Sequence, residues 1–171
     1  MRDNRGFTLI ELIVVMLIVG VLAIGSILGV KVLGFGSTQS TVKRIDSMLN
    51  YLQIENMTRS KPFYMIIEEA DGKYFLSVQK DTIEISREEL ELVRGEITYV
   101  TKSGMTYLVH ENEITGRDTS KKLEITFKKD TGGVGENRAT PPETITKIIV
   151  STNSRSYTIR LVEVTGKHYI E

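Results

Sequence analysis

The sequence predicts an α+β protein in which a long N-terminal helix, membrane-spanning in its first half and amphipathic in its second, packs on an antiparallel β-sheet domain. Three observations predict this class: an apolar run near the amino terminus, a helical period after it, and strand-and-turn patterns beyond. The chain has 171 residues with 22 basic and 22 acidic side chains. It therefore has room for one domain and an extra segment, and it lacks the overall positive charge of a non-specific nucleic-acid binder.

The apolar run covers residues 7–30, FTLIELIVVMLIVGVLAIGSILGV, and contains Glu11 as its only charged residue. A helix of this length reaches roughly 36 Å, enough to cross a hydrocarbon core of ~30 Å. Arg2 and Arg5 precede the run, partly offset by Asp3. The positive-inside rule then predicts a cytoplasmic amino terminus and a C-terminal domain on the other side of the membrane.

Two ordinary interpretations of this run remain open. It could be a plain single-pass anchor, but a carboxylate at Glu11 costs a few kcal/mol among lipid tails and usually has a partner or a function. It could be a secretory signal cut before Ser26, after the small residues Ala23 and Gly25. A charge inside the apolar part of such a signal fits poorly.

The run Gly6–Leu12, GFTLIEL, follows a short basic leader and places a glutamate in an unbroken apolar helix. It resembles the class III signal of type IV pilins and type II secretion pseudopilins. The resemblance implies a pilin-like fold, cleavage after Gly6 by a prepilin peptidase, methylation of the new terminal amine at Phe7, and an assembly role for Glu11.

Electrostatics gives Glu11 a reason independent of that resemblance. Cleavage after Gly6 creates a cationic amine at Phe7, and Glu11 lies one helical turn further on. An amine from a neighbouring subunit, shifted along the helix, would neutralise both charges inside the apolar region. Such a heterologous contact does not close, so repetition builds a filament.

The helix is predicted to continue from near Phe7 to Arg59, because Pro62 excludes the preceding residue from helical geometry. Two glycine patterns interrupt it: Gly25 and Gly29 could allow close helix approach, and residues 34–36, Gly-Phe-Gly, predict a hinge or a locally melted turn. The predicted organisation is a cleaved leader at 1–6, a transmembrane and assembly helix at 7–33 and a globular ectodomain at 34–171. In the ectodomain, the amphipathic helix at 37–60 has an apolar stripe of Val42, Ile45, Leu49, Leu52, Ile54 and Met57.

Residues 63–171 read mainly as β structure. One short helical turn is predicted between Ser86 and Gly95, where Ser86 to Glu89 resembles a capping box. The segment from Leu123 to Lys128 alternates, which predicts one buried and one solvated face. The predicted hairpins pair 63–69 with 73–79, 97–101 with 105–110, and 145–150 with 157–164, and a further strand contains Ile83 and Ile85.

Residues 131–144, TGGVGENRATPPET, are predicted to form a mobile surface loop. A contact surface for a neighbouring subunit or partner is the alternative, because exposed loops often carry recognition. The glycines lack the Gly-Lys-Ser/Thr ending of a phosphate-binding loop.

Few residues suggest other chemistry, and we expect no metal and no cofactor. Cysteine is absent, and His110 and His168 have no second histidine at ligand spacing. The acidic residues Glu88, Glu89 and Glu91 are typical of a solvated face. A membrane-tethered enzyme using these acids, and a competence-type pseudopilin that binds DNA, are the alternatives; the DNA site would use Lys121, Lys122, Lys128, Lys129, Arg155, Arg160 and Lys167 with Tyr157 and Tyr169.

Beyond the signal, Arg59-Ser60-Lys61-Pro62, the strand at 63–67 and Thr165-Gly166-Lys167 look like the minor pseudopilin H/FimT-like branch. The resulting expectation is a minor pilin or pseudopilin, a structural filament subunit and not an enzyme. Its expected partners are a prepilin peptidase, other pilin subunits through the N-terminal helix, and the membrane before assembly, with no specific nucleic acid. It would first be a single-pass protein of the cytoplasmic membrane with an extracytoplasmic C-terminal domain, and later part of a pilus or pseudopilus at the cell surface.

Overall fold

The computed structural model describes residues 9–112, 114–120, 122–138, 142–153 and 155–171; the side chains of residues 9, 11, 20–36 and 119 lie outside this description. The described part divides between Gly36 and Ser37 into two compact units. We describe each by itself. The α+β class is confirmed, with one long helix and two β-sheets among the described residues.

Helix α1 spans Leu9–Thr58 and ends four residues before Pro62. It includes residues 34–36, so the locally melted turn predicted there is wrong. Helical hydrogen bonding through this segment overrides the weak helix propensity of its two glycines. The Gly25 and Gly29 pair lies among residues whose side chains are outside the description.

Two sheets follow the helix. Their strands are β1 Phe63–Ala70, β2 Lys73–Lys80, β3 Ile83–Leu90, β4 Gly95–Thr101, β5 Thr106–Val109, β6 Thr119–Ser120, β7 Lys122–Ile125, β8 Ile145–Thr152, β9 Ser156–Leu161 and β10 His168–Ile170. The four-stranded sheet has the order β3-β2-β1-β7, and the six-stranded sheet has the order β10-β9-β8-β4-β5-β6. Neighbouring strands are antiparallel except for β5 and β6, which are parallel.

The three predicted hairpins are confirmed as β1-β2, β4-β5 and β8-β9. The second strand of the third hairpin was predicted to reach residue 164, but β9 ends at Leu161, where the chain turns. In that turn the Gly166 N–H donates to the Val162 carbonyl at 2.7 Å.

The second half of α1 buries one face in the core that both sheets share. Its buried side chains recur every three or four residues, as one face of an α-helix requires: Val42, Ile45, Leu49 and Leu52. Ile54 and Met57 were predicted to extend this stripe, but both are exposed. They fall off the spacing of the buried set, whose next member is the polar residue Asn56.

The predicted helical turn between Ser86 and Gly95 is wrong, because Ile83–Leu90 form strand β3. This strand pairs with β2 along its length, with a β-bulge opposite Val78 and Gln79. A ladder of backbone hydrogen bonds to β2 outweighs the local capping propensity of Ser86. The further strand predicted at Ile83 and Ile85 is confirmed.

Asn56 joins the end of α1 to the start of β1. Its buried side-chain amide donates to the Phe63 carbonyl at 2.9 Å and accepts from the Phe63 N–H at 2.9 Å. The Thr126 hydroxyl donates to the same carbonyl. The backbone N–H and carbonyl of Phe63, the first residue of β1, are therefore both hydrogen-bonded by side chains.

Tyr74 joins the two sheets. Its buried hydroxyl, on β2, donates to the Val109 carbonyl of β5 at 3.2 Å and accepts from the Ile97 N–H of β4 at 3.3 Å. Burial raises the pKa of the Tyr74 hydroxyl, and the Ile97 hydrogen bond opposes this. The hydroxyl thus stays protonated and satisfies a donor and an acceptor at once.

Gln53 holds two loops against the helix. Its amide donates to the Gly132 carbonyl at 2.8 Å and to the Thr165 carbonyl at 2.9 Å. Gly166, next in the chain, has a φ of +66°, and a Cβ at this position would collide with the Gly132 carbonyl oxygen and the Gln53 amide. Only glycine fits here without moving backbone.

Replacing Gly166 tests this junction. We expect Gly166→Ala to destabilise the fold by about 3 kcal/mol, because unfavourable φ and a backbone collision add. Gly104→Ala is the matched control: its φ is +88° but nothing lies within 4 Å of its Cβ position. It should cost only about 1–2 kcal/mol, from φ alone. Urea unfolding of residues 37–171 measures both, and equal losses would contradict the collision.

Candidate functional site

The predicted processing residues lie at the edge of what the structure describes. Gly6 and Phe7 are outside the described residues. Glu11 belongs to α1, but its side chain is outside the description. Their roles in cleavage, methylation and assembly therefore stay predictions.

The described side chains that begin α1 form an apolar surface. Ile10 and the run Leu12–Val19 are each 50–70% exposed. Successive residues of a helix are about 100° apart, so eight consecutive apolar side chains point in every direction around the axis. A helix that is apolar all round requires lipid or other protein around it.

Among the described residues, no helix is both long and apolar enough to qualify as a membrane span. The span predicted at 7–30 includes residues that lie outside the described side chains, and it stays a prediction.

No two of the three acidic residues considered for hydrolysis face one another as a catalytic acid and base would. Glu88 and Glu89 are neighbours on β3, so their side chains point to opposite faces of the sheet. Glu88 binds Arg44 of α1 through both carboxylate oxygens, and Glu89 binds Lys73 of β2 at 3.0 Å. Each acid is thus neutralised by its own cation, and Glu91 follows the strand in an exposed position.

Two of the basic residues considered for DNA binding, Lys122 and Arg160, lie on different sheets. Lys122 lies on β7 and pairs with Glu124 at 3.5 Å. Arg160 lies on β9 and faces Glu171 at 3.9 Å, and the Arg155 guanidinium donates to the Tyr157 hydroxyl. Lys121 is outside the described residues. The two ion pairs reduce the positive charge that the set could offer to a phosphate backbone.

The two histidines lie in separate parts of the fold. His110 is 3.5 Å from the Glu69 carboxylate, and the nearly buried His168 is 3.4 Å from the Asp46 carboxylate of α1. Within the part of the chain that the structure describes, no group of three or more histidine or acidic residues is placed to hold a metal ion.

The interpretation of residues 131–144 as a mobile surface loop is wrong for its first part. Residues 132–135 are buried, and Val134 belongs to the core. Isolated β-bridges join Val134 to Phe127 and Glu136 to Thr144. The glycines that suggested mobility instead allow close packing, because a Cβ at Gly133 would meet the carbonyl oxygens of Glu163 and Val164.

Arg138 extends this packed loop across the outer face of the four-stranded sheet. Its guanidinium binds both carboxylate oxygens of Glu124 at 2.9–3.0 Å, and its backbone N–H adds a bond of 2.8 Å. It also donates to the Asp81 carbonyl and the Gln79 side chain, and it lies 4.2 Å from the ring centroid of Tyr64. One side chain thus connects the loop to β7, β1 and the end of β2.

Sequence reasoning missed this network because it placed Glu124 on a solvated face. The predicted alternation from Leu123 to Lys128 is wrong: Leu123 through Phe127 are all buried. The partner of Glu124 is Arg138, which lies fourteen positions later in the sequence. Nothing in the residues next to Glu124 predicts that this arginine reaches it.

Two opposing effects act on the pKa of the Glu124 carboxyl. Burial acts to raise the pKa of the Glu124 carboxyl, but the hydrogen bonds and charge of Arg138 outweigh burial, and the pKa is lowered. A carboxyl with a lowered folded-state pKa stabilises the fold above the ordinary glutamate pKa. That stabilisation is lost as the pH falls through the lowered value.

A family description matches the beginning of the chain. "Prokaryotic N-terminal methylation motif" matches residues 1–27, so the chain carries the class III signal of type IV pilins. The match supports a pilin-like or pseudopilin-like protein processed by a prepilin peptidase. It ends at residue 27 and does not bear on the minor pseudopilin H/FimT-like branch. No curated protein and no solved structure matches the chain significantly.

Replacing Arg138 tests the electrostatic role of the network. We expect Arg138→Met to cost about 2–3 kcal/mol at neutral pH, because it leaves the Glu124 carboxylate buried without its main partner. The loss should shrink below about pH 4, where a protonated Glu124 needs no cation. Urea unfolding of residues 37–171 across this pH range measures it.

The control is Arg117→Met, which breaks an ion pair with Glu96 at 3.3 Å in which both side chains are about half exposed. It should cost less than about 1 kcal/mol at every pH. A pH-independent loss in Arg138→Met would contradict the electrostatic role and leave packing on Tyr64 as the cause.

Proposed function

We propose that this chain is a structural subunit, a minor pilin or pseudopilin, of a type IV pilus-like or type II secretion-like filament. The observation that carries the proposal is the beginning of α1, where the methylation motif at residues 1–27 includes apolar side chains that are exposed on all sides of the helix, at residues 10 and 12–19. A processing signal fused to an uncovered apolar helix suits a protein held first by lipid and then by other copies of such helices.

In this proposal the prepilin peptidase cuts between Gly6 and Phe7. Glycine leaves the backbone accessible at the cut, and the basic leader keeps it on the cytoplasmic side of the membrane. The same enzyme methylates the new amine of Phe7. The processed chain remains in the cytoplasmic membrane, with residues 37–171 outside, until it is assembled.

Glu11 then acts as the assembly residue. Before assembly its carboxylate lies unpaired in apolar surroundings, which costs a few kcal/mol. An incoming subunit that brings its methylated amine beside Glu11 removes this cost for both groups. The contact favours addition of a further subunit at the same axial shift and favours a filament over a closed ring.

The proposal gives residues 37–171 a structural role and assigns no catalysis to them. The ion pairs of Glu88 and Glu89 lend no support to the enzymatic alternative. The ion pairs of Lys122 and Arg160 lend none to the DNA-binding alternative. Membership of the minor pseudopilin H/FimT-like branch is the finer part of the proposal, and it rests on the sequence resemblance alone.

The cleavage position is testable by mass spectrometry of the protein recovered from filament or membrane fractions. We expect a chain that begins with methylated phenylalanine at residue 7. Gly6→Val should block cleavage because a branched side chain crowds the backbone at the cut, whereas Arg5→Lys should be processed like the parent. Recovery of intact Met1, or of a chain starting at Ser26, would contradict the proposal.

The assembly role of Glu11 needs a separate experiment. We expect Glu11→Ala and Glu11→Gln to be inserted and cleaved normally yet to be depleted from sheared filament fractions, because both remove the negative charge that the incoming amine requires. Ile10→Ala is the control, since it changes a neighbouring side chain without changing charge. Whole-membrane blots give the reference amount, and equal incorporation of Glu11→Gln and Ile10→Ala would refute the role.

A further inference from the structure

The outer face of the six-stranded sheet places two cations directly opposite each other. Lys147 on β8 pairs with Arg160 on β9, and both side chains are exposed. Their neighbours Ile148 and Ile159 belong to the core, so the two cations point to the other side of the sheet. Like charges opposite each other on neighbouring strands are unfavourable. A negatively charged partner would remove this cost.

Little within the chain neutralises these cations. Among the described residues, Lys147 has no ion-pair partner, and neither has the exposed Lys167, which lies just before β10. Arg160 has an acid nearby, Glu171 at 3.9 Å, in a pair whose side chains are both more than half exposed. Lys147, Arg160 and Lys167 form the basic surface of the sheet. Two of its three charges are therefore available to a partner.

A cluster of acids lies where β1 and β5 end. The Glu111 N–H donates to the Glu69 carboxylate at 2.7 Å, and the Asp71 N–H donates to the Glu111 carboxylate at 3.2 Å. These three residues form the acidic cluster. In the part of the chain that the structure describes, no lysine or arginine forms an ion pair with Asp71 or Glu111, and both are exposed. Their negative charge is thus open to a partner as well.

The basic surface and the acidic cluster are separated in two directions. Across the sheet, Lys147 pairs with Val100 of β4, and Val100 pairs with Thr106 at the start of β5. Along the sheet, β5 leads away from this row towards Glu111, which follows Thr106 by five residues. The two surfaces of one copy therefore lie two strands apart and at opposite ends of β5. They meet only between two copies that are shifted relative to each other.

We propose that the basic surface of one copy of this chain binds the acidic cluster of a neighbouring copy in the filament. The second copy is the occupant because each surface supplies the charge that the other lacks within its own chain. A contact between two different surfaces is heterologous and does not close, so it repeats with a fixed shift from copy to copy. The inference rests on the proposed filament function and adds to it a contact within residues 37–171 that does not use Glu11.

Cross-linking tests the contact in filaments of the full chain, which has no native cysteine. Two differently tagged copies, one with Lys147→Cys and one with Asp71→Cys, are co-expressed and treated with a bismaleimide as long as a lysine–aspartate pair. We expect mixed-tag product well above the background given by Ile83→Cys with Asp71→Cys. Ile83 is 71% exposed but lies on β3, in the other sheet. Mass spectrometry shows whether the linker joins position 147 of one copy to position 71 of the other.

The outcomes separate this contact from the proposed function. Absence of the chain from filament fractions would overturn the proposed function, and this contact with it. Filaments that contain both tags but give product only at the background level would overturn the contact and leave the proposed function standing.

Charge reversal tests the same contact without a linker. Lys147→Glu and Asp71→Lys should each lower the amount of chain in sheared filaments about two- to fivefold relative to whole-membrane blots, because each brings like charges together. The double variant should recover the parent amount, since the pair re-forms with reversed sign. Lys43→Glu makes the same charge change at an exposed position of α1 and should assemble like the parent. A double variant that assembles no better than the single variants would overturn the second copy as the partner.

Discussion

The burial of one face of α1 is the constraint on which the rest of residues 37–171 depends. Val42, Ile45, Leu49 and Leu52 contribute to a core that also contains the inner faces of both sheets. Asn56 and Gln53, on the same stretch of helix, then fix β1 and the loops at residues 132 and 165. The sheets therefore need the helix both to exclude water and to satisfy their polar ends.

Local patterns predicted the parts of the fold whose causes are local. The period of α1, the stop before Pro62 and the three hairpins all follow from residues a few positions apart. The errors have distant causes. β3 is a strand because β2 lies beside it, and Glu124 is buried because Arg138 reaches it from a loop that the sequence suggested was loose. Contacts between residues this far apart in the chain produce no periodic pattern in the sequence.

In the candidate site, too, only the residues that belong to a local pattern could be predicted from the sequence. A short motif predicted roles for Gly6, Phe7 and Glu11 because the signal it resembles consists of consecutive residues, and the family match at residues 1–27 covers that motif. The surface of residues 37–171 could not be predicted in this way. Which of its charges are neutralised, as Glu88 is by Arg44 and Glu89 by Lys73, depends on the sheet register and on how the helix packs.

The hydrogen bonds of Asn56 also bear on mechanical load. Tension applied at Ser37 would act along the axis of the second half of α1, residues 37–58. The core contacts at Val42, Ile45, Leu49 and Leu52 run in a row parallel to that axis, so they would be sheared together and not peeled apart one after another. Asn56 and its bonds to Phe63 lie at the far end of the row. The apolar contacts along this helix face therefore share such a load, and the Asn56 hydrogen bonds hold the end of the helix furthest from Ser37.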